Sequence, residues 1–280
     1  DAHSPLVLGK QNWFTKQYDH PKRTCLEVRQ GNGAEEPSLV YTTAYQTEKD
    51  NFYVTIGLWQ AGQNRIFIDC NVQSPAEMLS PGRIGMTAIL PVRFTAMNWY
   101  GKGPLETYPD RQCGGRMGVY SEDVRNQPFY LRPQEYGLHM ESRSMRLTDP
   151  DRADFVQFEA ACSMAMSAVP YSDLQLWNAR HPYELPAPEA LYVLLDYAHR
   201  GLGNSSCGPD ALPAYRIDGR PCRFGFALEA GLGEREDNPF GPIPEEIPAY
   251  HPWKAVEEQD RTPSYRDPSD PDQRSNAGMV

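Results

Sequence analysis

The densest concentration of groups that could do chemistry lies in residues 99–111. There Trp99 and Tyr100 are followed by Gly101-Lys102-Gly103-Pro104 and then by Glu106, Tyr108, Asp110 and Arg111. Aromatic faces stack on pyranose rings, and carboxylates and guanidinium groups bind hydroxyls, so such a stretch can form a carbohydrate site. It can equally be structure, with Glu106, Asp110 and Arg111 pairing with one another and satisfying the backbone of an irregular loop. The structural reading is favoured, because buried charge is usually paired. Trp59, Trp99, Tyr100 and Tyr108 make a sugar-binding module conceivable, yet aromatics in alternating strands are usually core. The cysteines 25, 70, 113, 162, 207 and 222 contain no CxxC pair and do not resemble a zinc site. In a chain this long they read as free buried thiols of a reducing compartment rather than as staples.

The elements that must position these groups are strands. Short β-type runs recur at 38–46, 51–60, 65–72, 85–90, 93–100, 154–161, 190–196 and 223–229. In the second of these Phe52, Val54, Ile56 and Leu58 recur at every other position, the mark of a strand with one buried face. Turn signals separate the runs, among them Gln30-Gly31-Asn32-Gly33, Ser80-Pro81-Gly82 and Asp218-Gly219. With 22 Gly and 26 Pro in 280 residues, turns are favoured over long helices. Strands at this spacing predict stacked antiparallel sheets. One short helix is predicted at 172–180, with Ser172 as its cap and Leu174 and Trp177 in its apolar stripe.

A net charge of -10 argues against a phosphate-binding surface, which needs clustered Lys and Arg. No nucleic acid or membrane partner is therefore expected. The weakly apolar run 160–169 is too short to span a bilayer, and no basic-then-apolar leader opens the chain, so a cytoplasmic location is expected. Residues 1–232 read as one all-β domain. From 233 to 280 the chain turns Pro-rich and acidic, a composition that cannot bury enough apolar surface to offset its ordering entropy. The cluster Tyr250, His251, Pro252 and Trp253 is the exception within that tail, able to dock on the sandwich or on a partner or to lie simply exposed.

The pattern Trp99, Gly101, Gly103, Pro104, Glu106, Tyr108, Asp110, Arg111 resembles the hallmark of the β-galactosidase small-chain domain of glycoside hydrolase family 2. Three further blocks occur in the right order. These are Arg83-Ile84-Gly85, the stretch Pro133-Gln134-Glu135-Tyr136-Gly137, and Gly201-Leu202-Gly203-Asn204-Ser205-Ser206-Cys207-Gly208-Pro209. The similarity runs from about Trp13 to Leu228. It implies a large antiparallel β-supersandwich of the galactose-mutarotase type, closing one side of an active site built in a separate (β/α)-barrel. The family's opening stretch before Trp13 is not matched, which leads us to expect an exposed sheet edge.

By the same resemblance the catalytic glutamates belong to the barrel, and no catalytic residue is expected in this chain. A retaining glycosidase needs two carboxyls roughly 5 Å apart. Glu106 and Glu135 are the only tempting pair, and the family uses their motifs as structure. The loop 201–209 resembles the segment that projects toward the substrate, where some members carry Trp and others Cys. Cys207 holds that position here, with Asn204 and Ser206 placed to bond sugar hydroxyls or to close the turn. The implied partners are a barrel-bearing β-galactosidase chain or part, a galactoside such as lactose, and further copies in an oligomer. Magnesium and sodium sites of the complete enzymes are expected mainly outside this chain, which needs no cofactor or metal of its own. Two alternatives remain open: a stand-alone carbohydrate-binding module, and an aldose 1-epimerase using His139, His181 or His199 as acid with Glu135 or Glu184 as base.

Overall fold

The computed structural model describes residues 21–31, 36–47, 50–75, 80–131, 135–203 and 211–233. Eleven strands occupy these residues: β1 (Lys22–Gln30), β2 (Leu39–Gln46), β3 (Asn51–Gln60), β4 (Arg65–Gln73), β5 (Arg83–Pro91), β6 (Ala96–Gly103), β7 (Arg116–Asp123), β8 (His139–Thr148), β9 (Phe155–Val169), β10 (Ala190–His199) and β11 (Cys222–Gly231). Every strand pairing among them is antiparallel. The order is β1-β2-β3-β4-β11-β9-β8-β6-β7, with β10 joined to β9 and β5 to β10. The fold is the all-β antiparallel sandwich expected from the alternating runs.

The strand β9 organises this topology because it has different partners along its length. Its first part pairs with β11 through Phe155 to Ala160, and its last part pairs with β10 through Ala165 to Val169. Between them the register against β8 jumps, Ser142 facing Met164 while Ser144 faces Glu159. Such a bulge bends the strand and increases its local twist. The run 160–169, which the sequence separates from the preceding strand, is thus the second half of one strand. Met164, Met166 and Ala168 point from it into the core.

That core draws Ile56 and Ile68 from β3 and β4, Met97 and Trp99 from β6, and Met145 and Leu147 from β8. Phe158 from β9, Leu191, Val193 and Leu195 from β10, and Phe224 and Phe226 from β11 complete it. The strands β1, β7 and β8 are absent from the sequence reading. Exposure explains the first, since all nine residues of β1 are solvent-exposed at the sheet edge and its apolar Leu26 and Val28 face water. Gly118 and the polar Ser121-Glu122-Asp123 similarly hide β7, whose Met117 and Val119 are also exposed.

The helix α1 (Asp173–Asn178) is shorter than the predicted span, and its N-terminus is a reciprocal capping box between Ser172 and Gln175. Its inward residue is Leu176, whereas Leu174 is exposed and Trp177 half-buried. The buried-thiol expectation holds for Cys70 alone. Cys25 lies on the exposed edge strand, Cys113 is exposed in a loop, and Cys162 and Cys222 are half-buried. None of the five described cysteines is in a disulfide.

His139 shows what this core demands of a polar group. Its ring stacks on Trp99 at 3.9 Å between centroids and is 1% exposed. Burial lowers its pKa to about 4, against a smaller upward pull from the backbone of Lys102 and Leu105. A neutral imidazole in the native state that is charged when unfolded contributes stability above its unfolded pKa and loses it as pH falls. His139→Phe is expected to remove a pH-dependent contribution of about 3 kcal/mol, lost between roughly pH 6.5 and 4. Denaturant unfolding of both proteins across that range measures it.

Candidate functional site

Two polar networks meet at one end of the sandwich, and the motif at 99–111 supplies the first. Trp99 is buried on β6 with its indole N–H donating to the Lys102 carbonyl at 3.1 Å. The glycines that follow keep the strand close to its neighbours. A Cβ at Gly101 would lie 2.8 Å from Ser142 Cα, and one at Gly103 would lie 2.6 Å from the Tyr120 ring. The chain then turns at the cis Gly103–Pro104 bond into an irregular loop. Residues Tyr108 and Arg111 close that loop by exchanging backbone hydrogen bonds, 3.1 Å and 2.8 Å long.

Within this loop the charged groups have separate duties. Glu106 forms an ion pair with Arg111 and accepts hydrogen bonds from the Gly137 N–H at 2.7 Å and the Tyr130 hydroxyl at 3.3 Å. It therefore ties the loop to the segment on either side of residues 132–134. Asp110 instead accepts from two successive backbone N–H groups, Leu202 at 3.1 Å and Gly203 at 2.6 Å. A side chain at Gly201 would have no room, because a Cβ there would lie 2.8 Å from the Asp110 carboxyl carbon. The Gly201 N–H donates to the Tyr215 carbonyl at 2.7 Å, and the Arg200 N–H to the Gly82 carbonyl at 2.9 Å. The root of the loop 201–209 is thus held from three sides.

The second network is ionic and lies where β5 and β10 pair. Their register sets Arg83 opposite His199 and Gly85 opposite Asp196. Arg83 forms an ion pair with Asp173, at the capped start of α1, and its Nη1 lies 3.9 Å from Glu135. His199, almost fully buried, sets Nε2 3.4 Å from Glu135 and Nδ1 2.7 Å from the Arg200 carbonyl. A ring facing acceptors on both sides is an imidazolium. Burial opposes its charge, but the hydrogen bond and charge of Glu135 raise the pKa of His199 above its ordinary value. Burial likewise pushes Glu135 upward, and His199 with Arg83 outweighs it, bringing the carboxyl down to about 2. Tyr108 joins the two networks, edge-on to His199 at 5.4 Å and beneath the Arg111 guanidinium at 5.1 Å.

Glu106 and Glu135 are engaged by separate cations, Glu106 by Arg111 and Glu135 by His199 and Arg83. His181 contacts Glu184 at 3.0 Å on the surface, while His139 is packed in the core. Pro133, Gln134, Asn204, Ser206 and Cys207 lie outside the described residues, as does the tail beyond Gly233. Among the described residues no group of three or more His, Cys, Asp or Glu converges to hold a metal ion. Nor is any helix among them long and apolar enough to cross a membrane.

The model of the β-galactosidase small chain family matches residues 2–228, starting ahead of Trp13. The chain belongs to this family. Similar curated proteins include the β-galactosidase of Staphylococcus xylosus, 32% identical over 148 residues, which cover 52% of this chain and 15% of that one. The β-galactosidase of Arthrobacter sp. (strain B7) is 30% identical over 57% of this chain and 16% of its own. That of Kluyveromyces lactis is 25% identical over 225 residues, or 78% of this chain and 22% of its own. Among solved structures, a putative aldose 1-epimerase from Escherichia coli K12 aligns over 74% of this chain and 69% of its own, at a TM-score of 0.41 and 10% identity. The chain spans less than a quarter of the length of these curated relatives.

Arg83, Asp173 and Asp196 are the site residues to which sequence reading assigned no role. Asp196 offered a signal, since a carboxylate ending the apolar strand run 190–195 has to find a cation once buried. It is 2% exposed, and burial raises its pKa to about 6 against the opposing charges of Arg83 and His199. A carboxyl that binds its proton more tightly when folded contributes stability below its unfolded pKa and loses it as pH rises through the folded value. Asp196→Asn is expected to remove a decline of up to about 3 kcal/mol between roughly pH 4 and 6. Its sign is opposite to that of His139, and unfolding of the variant as a function of pH tests it.

Proposed function

We propose that this chain is a non-catalytic component of a β-galactosidase. It completes the wall of a galactoside pocket and supplies interface area to a barrel-bearing part that carries the catalytic carboxylates. The observation that carries this reading is the family match across residues 2–228 in a chain that spans less than a quarter of its β-galactosidase relatives. Lactose and other terminal β-galactosides are the substrates, hydrolysed with retention by two carboxyls of the barrel. The chain itself is expected to be a cytoplasmic constituent of an oligomeric enzyme, with magnesium and sodium bound mainly by the rest of it.

The ionic network supports a supporting role over epimerisation. An acid and base that open a sugar ring must exchange protons near working pH. His199 and Glu135 do the opposite, since each holds the other in its charged form. Purified alone, the chain is expected to leave a chromogenic galactoside unhydrolysed and the mutarotation of fresh α-galactose at the buffer rate. Removing it from the complete enzyme should abolish lactose hydrolysis. Turnover by the isolated chain would overturn the assignment.

Within this reading the loop 201–209 faces the sugar through Cys207, Asn204 and Ser206, and Asp110 positions it. A thiol gives less stacking area than an indole, so the aglycone side is roomy and holds glucose loosely. Hydrogen bonds to a charged acceptor contribute about 1.5–3 kcal/mol, or roughly tenfold to a hundredfold in an equilibrium constant. In the complete enzyme Asp110→Ala is expected to raise the KM for lactose by about tenfold or more, with a smaller change in kcat. Asp110→Asn keeps an acceptor oxygen for only one of the two N–H groups, which bond separate carboxylate oxygens, and should recover only part of the loss. Steady-state kinetics of the variants distinguishes this from a general loss of fold, which would lower the active fraction and leave KM unchanged.

A further inference from the structure

Successive backbone groups at the end of β10 are held from separate parts of the chain. The Arg200 carbonyl faces His199 Nδ1 at 2.7 Å, and the N–H of the same peptide, at Gly201, donates to the Tyr215 carbonyl at 2.7 Å. The next two N–H groups, at Leu202 and Gly203, donate to the two oxygens of Asp110. Asp110 and Tyr215 hold the N–H side of this root. The imidazole acts on the carbonyl side of the peptide that begins it.

That imidazole is itself fixed. β10 carries a register shift between Asp196 and Ala198, and beyond it His199 lies opposite Arg83. The ring is buried, with Tyr108 edge-on at 5.4 Å and Nε2 3.4 Å from Glu135. The charged and titratable groups around it are Glu135 from the segment before β8, Arg83 from β5, Asp196 from β10, Asp173 from α1 and Tyr108 from the motif loop. Both ring nitrogens face acceptors, so both bonds require the imidazolium. Loss of one proton forces a choice. The remaining N–H stays with the Glu135 carboxylate, because hydrogen bonds to an ionised acceptor are the stronger ones. Nδ1 then turns a lone pair toward the Arg200 carbonyl at 2.7 Å, and the peptide rotates away from it.

We propose that protonated His199 is a positioning residue for the loop root 201–203, fixing the Arg200–Gly201 peptide and thereby the direction in which the chain leaves β10. Its effect on a sugar rests on the galactosidase reading, whereas its effect on the backbone does not. Burial opposes the charge of His199, but the hydrogen bond and charge of Glu135, with Asp196, raise its pKa above the ordinary value of about 6.5. The positioning is therefore present at and below that ordinary value and lost as pH rises through the folded one.

Amide hydrogen exchange of the full chain, corrected for the intrinsic pH dependence of exchange, tests this at Gly201, Leu202 and Gly203. The paired amides of β9 and β10 serve as controls. In the natural chain, protection of the three root amides is expected to fall about tenfold as pH rises above 6.5, while the controls stay constant. The transition should coincide with titration of the His199 ring followed by NMR. His199→Gln, which offers a donor at one end and an acceptor at the other and cannot titrate, should show low root protection at every pH. Glu135→Gln removes the charge that sustains the imidazolium and should move the transition to lower pH. Root protection that ignores pH in the natural chain, or that changes apart from the ring titration, would overturn the proposal whether or not the variants fold. So would a transition that Glu135→Gln leaves in place. In the complete enzyme the KM for lactose should rise about tenfold over the same range, with a smaller change in kcat. Root amides that respond while KM stays constant would uphold the positioning and overturn instead the placement of this loop at the sugar.

Discussion

The arrangement rests on one half-buried cation. Arg83, at the first residue of β5, sits among Glu135, Asp173 and Asp196, and these three carboxylates together hold its charge firmly despite the cost of desolvation. Breaking such a set by removing one member leaves an uncompensated charge and costs more than the set contributes when whole. It also ties together parts of the chain that are far apart in sequence. β5, the segment after residue 134, the start of α1 and the end of β10 are all joined through it. The neighbouring His199 extends the network by bridging Glu135 to the backbone at Arg200, one residue before the loop root.

From that point the chain enters the segment that Asp110 grips. A carboxylate receiving two consecutive N–H groups behaves like the anion at a helix start, and it fixes backbone direction without contributing to a core. The motif at 99–111 thus acts at two distances. Glu106 and Arg111 keep their own loop in shape and fasten it to Tyr130 and Gly137, while Asp110 reaches ninety-two residues ahead to orient Leu202. Density of polar groups beside aromatics looks like a binding site for the same reason that it makes a good clamp, since both need fixed donors and acceptors in a dry setting.

Two ionisable groups give the sandwich opposite responses to pH over one window. His139 is buried against an aromatic face with no carboxylate partner in its pKa balance and is held neutral. Asp196 is buried in a crowd of charge and is held toward its protonated form by desolvation. Acidification therefore weakens one site while it relieves the other, and the net dependence of the whole protein is flatter than either alone. Asp196 lies in a mainly apolar strand, whereas His139 opens β8, whose other residues are mainly polar.

Much of the architecture was legible in the sequence, because alternation such as that of Phe52, Val54, Ile56 and Leu58 reports a strand with one buried face. The family blocks were equally legible, since glycines and prolines at fixed spacing reflect local close approaches. What alternation could not show was β1, which has no buried face, or the continuity of β9 across its bulge, where the register shift breaks the period. The candidate site was readable as an inventory, with Glu106, Asp110, Arg111, Glu135 and His199 all singled out, but not as an arrangement. Glu106 and Glu135 look alike in sequence, yet one serves Arg111 and the other Arg83 and His199. Residue types and local spacing were settled by the sequence itself because they depend on neighbours along the chain. Which carboxylate meets which cation was decided only when β5 and β10 paired in register and α1 brought Asp173 across, since burial and charge pairing depend on neighbours in space.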